Sequence, residues 1–541
     1  MIKNSKIIFS LIFSIALLLF SFILLHGCTS KNKEKTVRIG FIGKANNINP
    51  LKKPDDISKQ VISAVFAGLT RWNDKWEEEP VLCEKVPTLK NGGLKTKGKY
   101  LVQCLYSMKK ESKWSDGSPL TVYDALFAYQ MSYSPIFKKY NPEMLDVVKK
   151  VTIPGGNSIA YVMKRTYRGI SLIPLPQESL ENSLMSAERD NVDEVFLKNT
   201  SFSGAFQLES FSPRKILLKR NSNHPVAGSG FQKIEIIGYN REIDRIADLK
   251  AGKIDLAYNP SYETVREVQN EKNLKTDIVK GAGQLCLVAN MKSSQAGNIN
   301  LRKAIICVTD RKSMSVQIFG KPDFAPISWL SPRHPAAEDF LKKYSLSPKK
   351  AKNLINRMGF KKNKSQKYEK DEILLYPSVV LSGDDPLQYR TAQFLKKSMK
   401  KIGVDIEIKP YPEDVYQKMI NEKDFPDFAI VRLETYPWMD PSDFFSRKSI
   451  PSGKSNDSQK NYGGWVNEEN EKLCAAYRAT LDPEDRFKIL KKQQKIVAEN
   501  LPIIPLLNIA EIVICNNKLK NIKPRGFGAI MWNVEEWDIV E

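Results

Sequence analysis

The chain is 541 residues long, 42% hydrophobic and 10% aromatic, which excludes a disordered or fibrous protein and is too much chain for one hydrophobic core. Its 84 Lys and Arg against 61 Asp and Glu give a formal charge of +23. The basic residues are mixed with acids along the whole length and come without zinc-ligand spacing, RNP-like aromatics or basic-region heptads, so no nucleic acid partner is indicated.

At the start, Lys3 and Lys6 precede an almost unbroken apolar run from Ile7 to Leu25 that ends at His26-Gly27-Cys28, the layout of an export leader. Leu25, Gly27 and Cys28 fit the bacterial lipobox, in which a small residue precedes a lipid-modified Cys; His26 stands where a small or apolar residue is usual. The expectation is a signal peptide over 1–27, lipidation at Cys28 and a Lys-rich tether over 28–36. An uncleaved transmembrane anchor is the alternative, because the run approaches bilayer-spanning length. Either one places the remainder outside the cytoplasmic membrane.

Val37, Ile39 and Phe41 then alternate as in a half-buried strand, and Val61 to Thr70 reads as a helix closed by Gly68. Pro80 to Tyr106 holds two strand-like runs split by Asn91-Gly92-Gly93, a hairpin signal. That hairpin would put Cys83 beside Cys104 and suggests a disulfide in an oxidising compartment, two buried thiols being the alternative. From Met108 to Gln130 the chain reads as a strand end, a tight turn at Asp116-Gly117 and a helix opened by Thr121 with Asp124 three residues on. Val122, Ala125, Leu126 and Tyr129 give that helix one apolar face.

Ile234, Ile236 and Tyr239 begin another strand, Gly252 closes a helix and Ile254 to Ala257 starts a strand, which is βαβ grammar. Further on, Ile373 to Tyr376 reads as a strand and Leu387 to Ile402 as a helix stopped by Gly403. Val404, Ile406 and Ile408 then alternate with polar residues. Asp482-Pro483 caps a helix carrying Phe487, Leu490 and Val497 on one side. With three histidines and no CxxC, Gly-x-Ser-x-Gly or His-Glu-x-x-His, the chain supports neither a His-ligated metal nor a hydrolase, and calls for no cofactor.

Trp114-Ser115-Asp116-Gly117-Ser118-Pro119-Leu120-Thr121, followed by an aromatic-rich helix, resembles the signature of the bacterial extracellular solute-binding proteins of family 5, which serve oligopeptide and dipeptide ABC importers. Further blocks match in order: Val65 to Thr70, Phe202 to Phe206 with Ile216 to Asn221, Ala251 to Asp255, Asn300 to Lys312, Pro348 to Phe360, Lys400 to Val404, Asn461 to Asn467 and Asn500 to Leu506. The resemblance runs from about Val37 onward.

It implies an α/β, bilobed periplasmic-binding-protein fold of type II, cluster C-like, with an inserted domain and a hinge of two crossovers. Lobe I would comprise 37–50, 161–283 and 505–541, the inserted domain 51–160, and lobe II 284–504. It also implies a non-enzymatic, monomeric, lipid-anchored receptor that holds a peptide between its lobes and serves ABC importer permease subunits. A nickel chelate, haem or another solute, or a basic surface for lipid or polyanion, are the alternatives.

Peptide-binding members carry Trp-x-x-Asp before an Asp/Glu-Pro, and that Asp takes the ligand's α-ammonium group. Aligning on Asp440-Pro441 puts Glu434 at the Trp and Pro437 at the Asp, so the usual anchor is missing. Glu434 and Asp440 are the expected substitutes, Tyr436, Trp438 and Trp465 the cleft walls, and Arg432 the ligand-carboxylate partner. Tyr140 completes the ligand-binding set.

Overall fold

The alternation at Val37, Ile39 and Phe41 produces a strand, Thr36–Ile42, with those three side chains buried. It runs parallel to Lys233–Tyr239 on one side and to Leu256–Tyr258 on the other. These belong to a ten-stranded sheet that frames the molecule. The computed structural model describes residues 35–96, 101–140, 147–164, 173–188, 191–226, 230–453 and 459–540. The expected leader, Cys28 and most of the tether lie outside the described residues. The sheet order is Glu407–Tyr411, Ser378–Ser382, Phe428–Glu434, Leu274–Ala289, Ile503–Asn516, Leu256–Tyr258, Thr36–Ile42, Lys233–Tyr239, Lys215–Arg220, Phe206–Ser212.

Two of these strands pass through both halves of the sheet. Leu274–Ala289 and Ile503–Asn516 pair antiparallel, with the register broken between Lys280 and Gln284. Before the break the partners lie in 510–516, and after it in 503–508. Gly281 sits in the break, where a Cβ would come within 2.8 Å of the Ile509 carbonyl and 3.0 Å of the Gly526 carbonyl. Only glycine allows so close an approach of backbone to backbone.

Around this frame the buried side chains form separate cores. Val37, Ile39, Val61, Val65, Phe206 and Ile234 pack in the first lobe. In the second lobe the sheet is covered on both faces: Leu285 and Leu287 point into one core, Cys286 and Val288 into the other, the pattern of a fully buried strand. A four-stranded sheet of Leu94–Thr96, Val102–Ser107, Ser158–Met163 and Val148–Gly155 has its own core with Trp114, Tyr106 and Tyr161.

The stretch from Trp114 to Ser132 ties this small sheet to the first lobe. Gly117 takes φ 89°, Asp116 accepts from Ser118 N at 2.9 Å and from Ser201 Oγ, and Ser115 N donates to Phe202 O at 2.8 Å. The helix Val122–Ser132 opens on the expected capping box of Thr121 and Asp124. One expectation is corrected here: the helix is apolar on two faces. Val122 and Ala125 pack on the small sheet, while Phe127, Ala128 and Met131 enter the first lobe's core.

Three further expectations are corrected. The Asn91-Gly92 turn leads into Leu94–Thr96, and it is this strand that pairs with Val102–Ser107. Cys83 therefore bridges to Met108 while Cys104 faces Leu94 and Tyr161, and both are buried thiols outside any disulfide. No disulfide forms between them because they stand at different levels of the sheet. Finally, the main-sheet strand in this region is Ser378–Ser382; Ile373 and Leu374 are exposed at the edge of a small separate three-stranded sheet.

Candidate ligand site at the lobe crossover

Three stretches far apart in sequence converge on the Gly281–Gly283 break. Phe428–Glu434 ends there, and Thr435 N donates to Ala282 O at 3.0 Å. Ser331 N donates to Thr435 Oγ1 at 2.7 Å and Ser331 Oγ to Gly281 O at 2.8 Å. From the C-terminal side, Gly526 O accepts from Ala282 N at 2.8 Å. The loops after Glu434, after Leu330 and around Gly526 are thereby fixed over the point where the chain changes lobes.

Aromatic rings fill the space above. Tyr436 and Trp438 stack at 4.9 Å with 5° between their planes. Trp72, from the hairpin Thr70–Trp72 and Glu78–Pro80, lies 4.9 Å from Trp438. Phe527 packs edge-on against Tyr436, Trp438 and Trp76 at 5.6, 5.4 and 5.4 Å. The wall so formed joins the N-terminal hairpin, the second lobe and the C-terminal loop.

Its polar side is a buried charge balance. Arg525 donates to Trp72 O at 2.6 Å and Phe527 O at 3.0 Å, and its guanidinium lies 4.8 Å from the Phe527 ring. Arg333, from the second lobe, donates to Asp74 O and stacks on Trp76 at 5.5 Å. Beneath them Glu511 accepts from Gly526 N at 2.5 Å and from Tyr258 Oη at 2.8 Å. Burial raises its carboxyl, with those hydrogen bonds and the charges of Arg525 and Arg333 pulling the other way. Burial likewise pushes Arg525 down to about 10.

Among the residues singled out from sequence, Glu434, Tyr436 and Trp438 come together. Tyr436 donates its hydroxyl to the exposed Glu434 carboxylate; burial first, then the Glu434 charge, raises the phenol, so it remains a donor. The others are placed elsewhere. Arg432 is exposed and paired with Asp385 at 2.9 Å. Asp440 is buried, holding Arg478 Nε at 2.6 Å and accepting from Ser442 N at 2.9 Å. Trp465 is in the second lobe's core against Phe445. Tyr140 ends a short 3₁₀ turn, Lys138–Tyr140, beside the first lobe's core, with Lys139 Nζ 4.8 Å from its ring. Sequence reasoning missed Trp72, Trp76, Arg333, Arg525 and Phe527. The only signal was two tryptophans in the short polar stretch from Arg71 to Glu79.

Two lobes sharing a sheet, with a wall built from both at their crossover, define a binding protein. The family described as bacterial extracellular solute-binding proteins, family 5 Middle, matches residues 103–456, more than half of the chain, and the protein belongs to that family. The oligopeptide-binding protein OppA of Bacillus subtilis is 22% identical over 542 residues, covering 93% of this chain and 92% of its own. Among solved structures, NikZ from Campylobacter jejuni in complex with Ni(L-His) superposes with a TM-score of 0.71 at 23% identity, over 93% of this chain and 99% of NikZ. The oligopeptide-binding protein AppA from Bacillus subtilis, in complex with a nonapeptide, gives 0.70 at 19% identity, over 94% and 100%. The fold is thus the bilobed α/β fold of this family. The protein is a solute-binding component of an ABC importer, not an enzyme. Among the described residues no helix is long and apolar enough to cross a membrane.

Proposed function

We propose that the protein captures peptides between its lobes, as a monomer, and delivers them to the permease subunits of an ABC importer. The observation that carries this reading is the stacked Tyr436–Trp438 wall with the Glu434 carboxylate at its edge. A wall of rings with one acidic group suits an extended peptide held by its backbone and amino terminus, its side chains lying in roomy wet pockets. Glu434 takes the α-ammonium in place of the Asp that Pro437 displaces, since the Asp440 carboxylate is already engaged by Arg478. The likeness to the oligopeptide-binding OppA and to AppA with its nonapeptide supports the peptide class. A nickel complex, as in NikZ, is the second reading; no group of three or more His, Cys, Asp and Glu among the described residues could hold a metal ion, so such a solute would enter as a chelate.

In this reading the first lobe takes 37–50, 161–283 and 505–541, the inserted domain 51–160 and the second lobe 284–504. Ile159, Tyr161 and Met163 bury with Trp114, and Val61 and Val65 with Val37, which supports drawing Ser158–Met163 into the inserted domain and Asp56–Val65 into the first lobe. Cys28 carries the lipid that keeps the receptor at the membrane, with 1–27 removed; two or more acyl chains anchor stably where one does not. Mass analysis of the mature amino terminus tests this: an unmodified Cys28 or a retained leader overturns it.

Calorimetric titration with free-amino peptides tests the site. Glu434→Ala is expected to weaken binding by more than about tenfold, or about 1.4 kcal/mol. Undiminished binding removes Glu434 as the anchor. A wild-type protein that binds no peptide, and from which mass spectrometry of natively purified material recovers another solute, overturns the peptide reading itself.

A further inference from the structure

Between the first lobe and the four-stranded sheet lies a cavity of about 380 Å³, inside the range of about 300–1,000 Å³ typical of small-molecule sites. None of Glu434, Tyr436 and Trp438 lines it. Its apolar lining includes Phe66, Leu82, Trp532 and Val534. The titratable lining is unbalanced, with Arg71, Lys109, Lys113 and Arg525 against Glu111 and Glu535.

The acids do not offset those cations evenly. Glu535 is already engaged by Arg71, which also holds Glu79 at 2.6 Å. Arg525 is bonded to carbonyl oxygens. Lys109 and Lys113 form no ion pair among the described residues; Lys113 and Glu111 are both exposed, which leaves the half-buried Lys109 as the unpaired cation of the lining. His224 adds a directed donor. Its Nδ1 accepts from Val226 N at 3.4 Å, which leaves the proton of the neutral ring on Nε2. Burial, then the charges of Arg220, Arg71 and Lys109, push this imidazole down to about 4, so it is neutral at pH 7. Lys109 and His224 both line the cavity.

We propose that this cavity is a second ligand site, which takes a small monoanion with an apolar body. Lys109 and the Nε2–H of His224 hold the charged end, and Phe66, Leu82 and Trp532 cover the body. A carboxylate there would meet a charge-assisted donor and a neutral one at the mouth of an apolar pocket. The site stands apart from the peptide reading. Arg525 is the one named residue common to both, lining the cavity and lying over the Phe527 ring.

Naphthoate, an apolar ring system with one carboxylate, is the probe, titrated by calorimetry into the mature protein. One equivalent is expected to bind, with the neutral naphthamide at least tenfold weaker. Lys109→Gln and the space-filling Ser112→Trp are each expected to weaken naphthoate at least tenfold, while Trp438→Ala leaves it unchanged and saturating peptide does not displace it. No binding at millimolar naphthoate overturns the site, as does wild-type affinity in both Lys109→Gln and Ser112→Trp. Competition by peptide, or loss in Trp438→Ala, would place the probe in the interlobe site and overturn it too. Failure of the peptide reading would show only in the Glu434→Ala and wild-type peptide titrations.

Discussion

His334 is buried, with Nδ1 accepting from Ala336 N at 3.0 Å and Nε2 without a hydrogen-bond partner. Burial pushes it from 6.5 down to about 3. The unfolded chain thus binds a proton here that the folded chain does not. Its contribution to stability is intact above about pH 6.5, falls as the pH drops and levels off below about 3. The slope in between approaches about 1.4 kcal/mol per pH unit. Replacing His334 by Asn should flatten the urea-measured stability profile by about one proton between pH 6 and 4; superimposable slopes would mean the folded ring is charged. Such burial was not legible in sequence, since a lone His between Arg333 and Pro335 reads as a loop residue. The turn at Asn91-Gly92 was legible, with Gly92 at φ 70°, but a turn signal does not say which strand follows it. The Cys83–Cys104 pairing failed on that point.

The helix Val122–Ser132 shows what a local pattern fixes and what it leaves open. Its start is set by contacts within a few residues: Thr121 N donates to Asp124 Oδ2 at 2.7 Å, as the spacing predicts. The same carboxylate also accepts from Gln177 N at 2.9 Å, a partner that no local signal announces. Removing it in Asp124→Ala strands two backbone donors in a half-dry site. We expect a loss of about 2–3 kcal/mol in chemical denaturation, with peptide affinity retained; a loss under about 0.5 kcal/mol would mean water replaces the carboxylate. The second apolar face was hidden because Phe127, Ala128 and Met131 read as filler until a lobe is packed against them. Ser378–Ser382 was missed for a related reason. All five of its residues are buried, so it lacks the alternation by which a half-exposed strand is recognised.

At the scale of the whole molecule, the order of blocks along the chain carried the two-lobed architecture, because each block is a local strand, turn or helix. The wall at the crossover was not carried, since Trp72, Trp438 and Phe527 lie far apart along the chain and only the folded sheet brings them together. That separation gives the wall a mechanical role. Among the described residues the lobes are continuous through two strands, whose pairing register breaks at Gly281–Gly283, and closure of such lobes is absorbed by a few hinge residues. Trp72 against Trp438, and Phe527 against Tyr436 and Trp438, are contacts that opening would break. Aromatic pairs of this kind are each worth about 0.5–1.5 kcal/mol beyond area burial. Losing the two made by Trp438 with Trp72 and Phe527 is therefore enough to shift an open–closed equilibrium by about 5- to 150-fold. Trp438→Ala without ligand is expected to enlarge the radius of gyration measured by small-angle scattering relative to wild type, and Arg333→Ala, which removes the contact to Asp74 O, to do so by a smaller amount. A Trp438→Ala protein with the wild-type scattering profile would show that the hinge strands alone hold the lobes together.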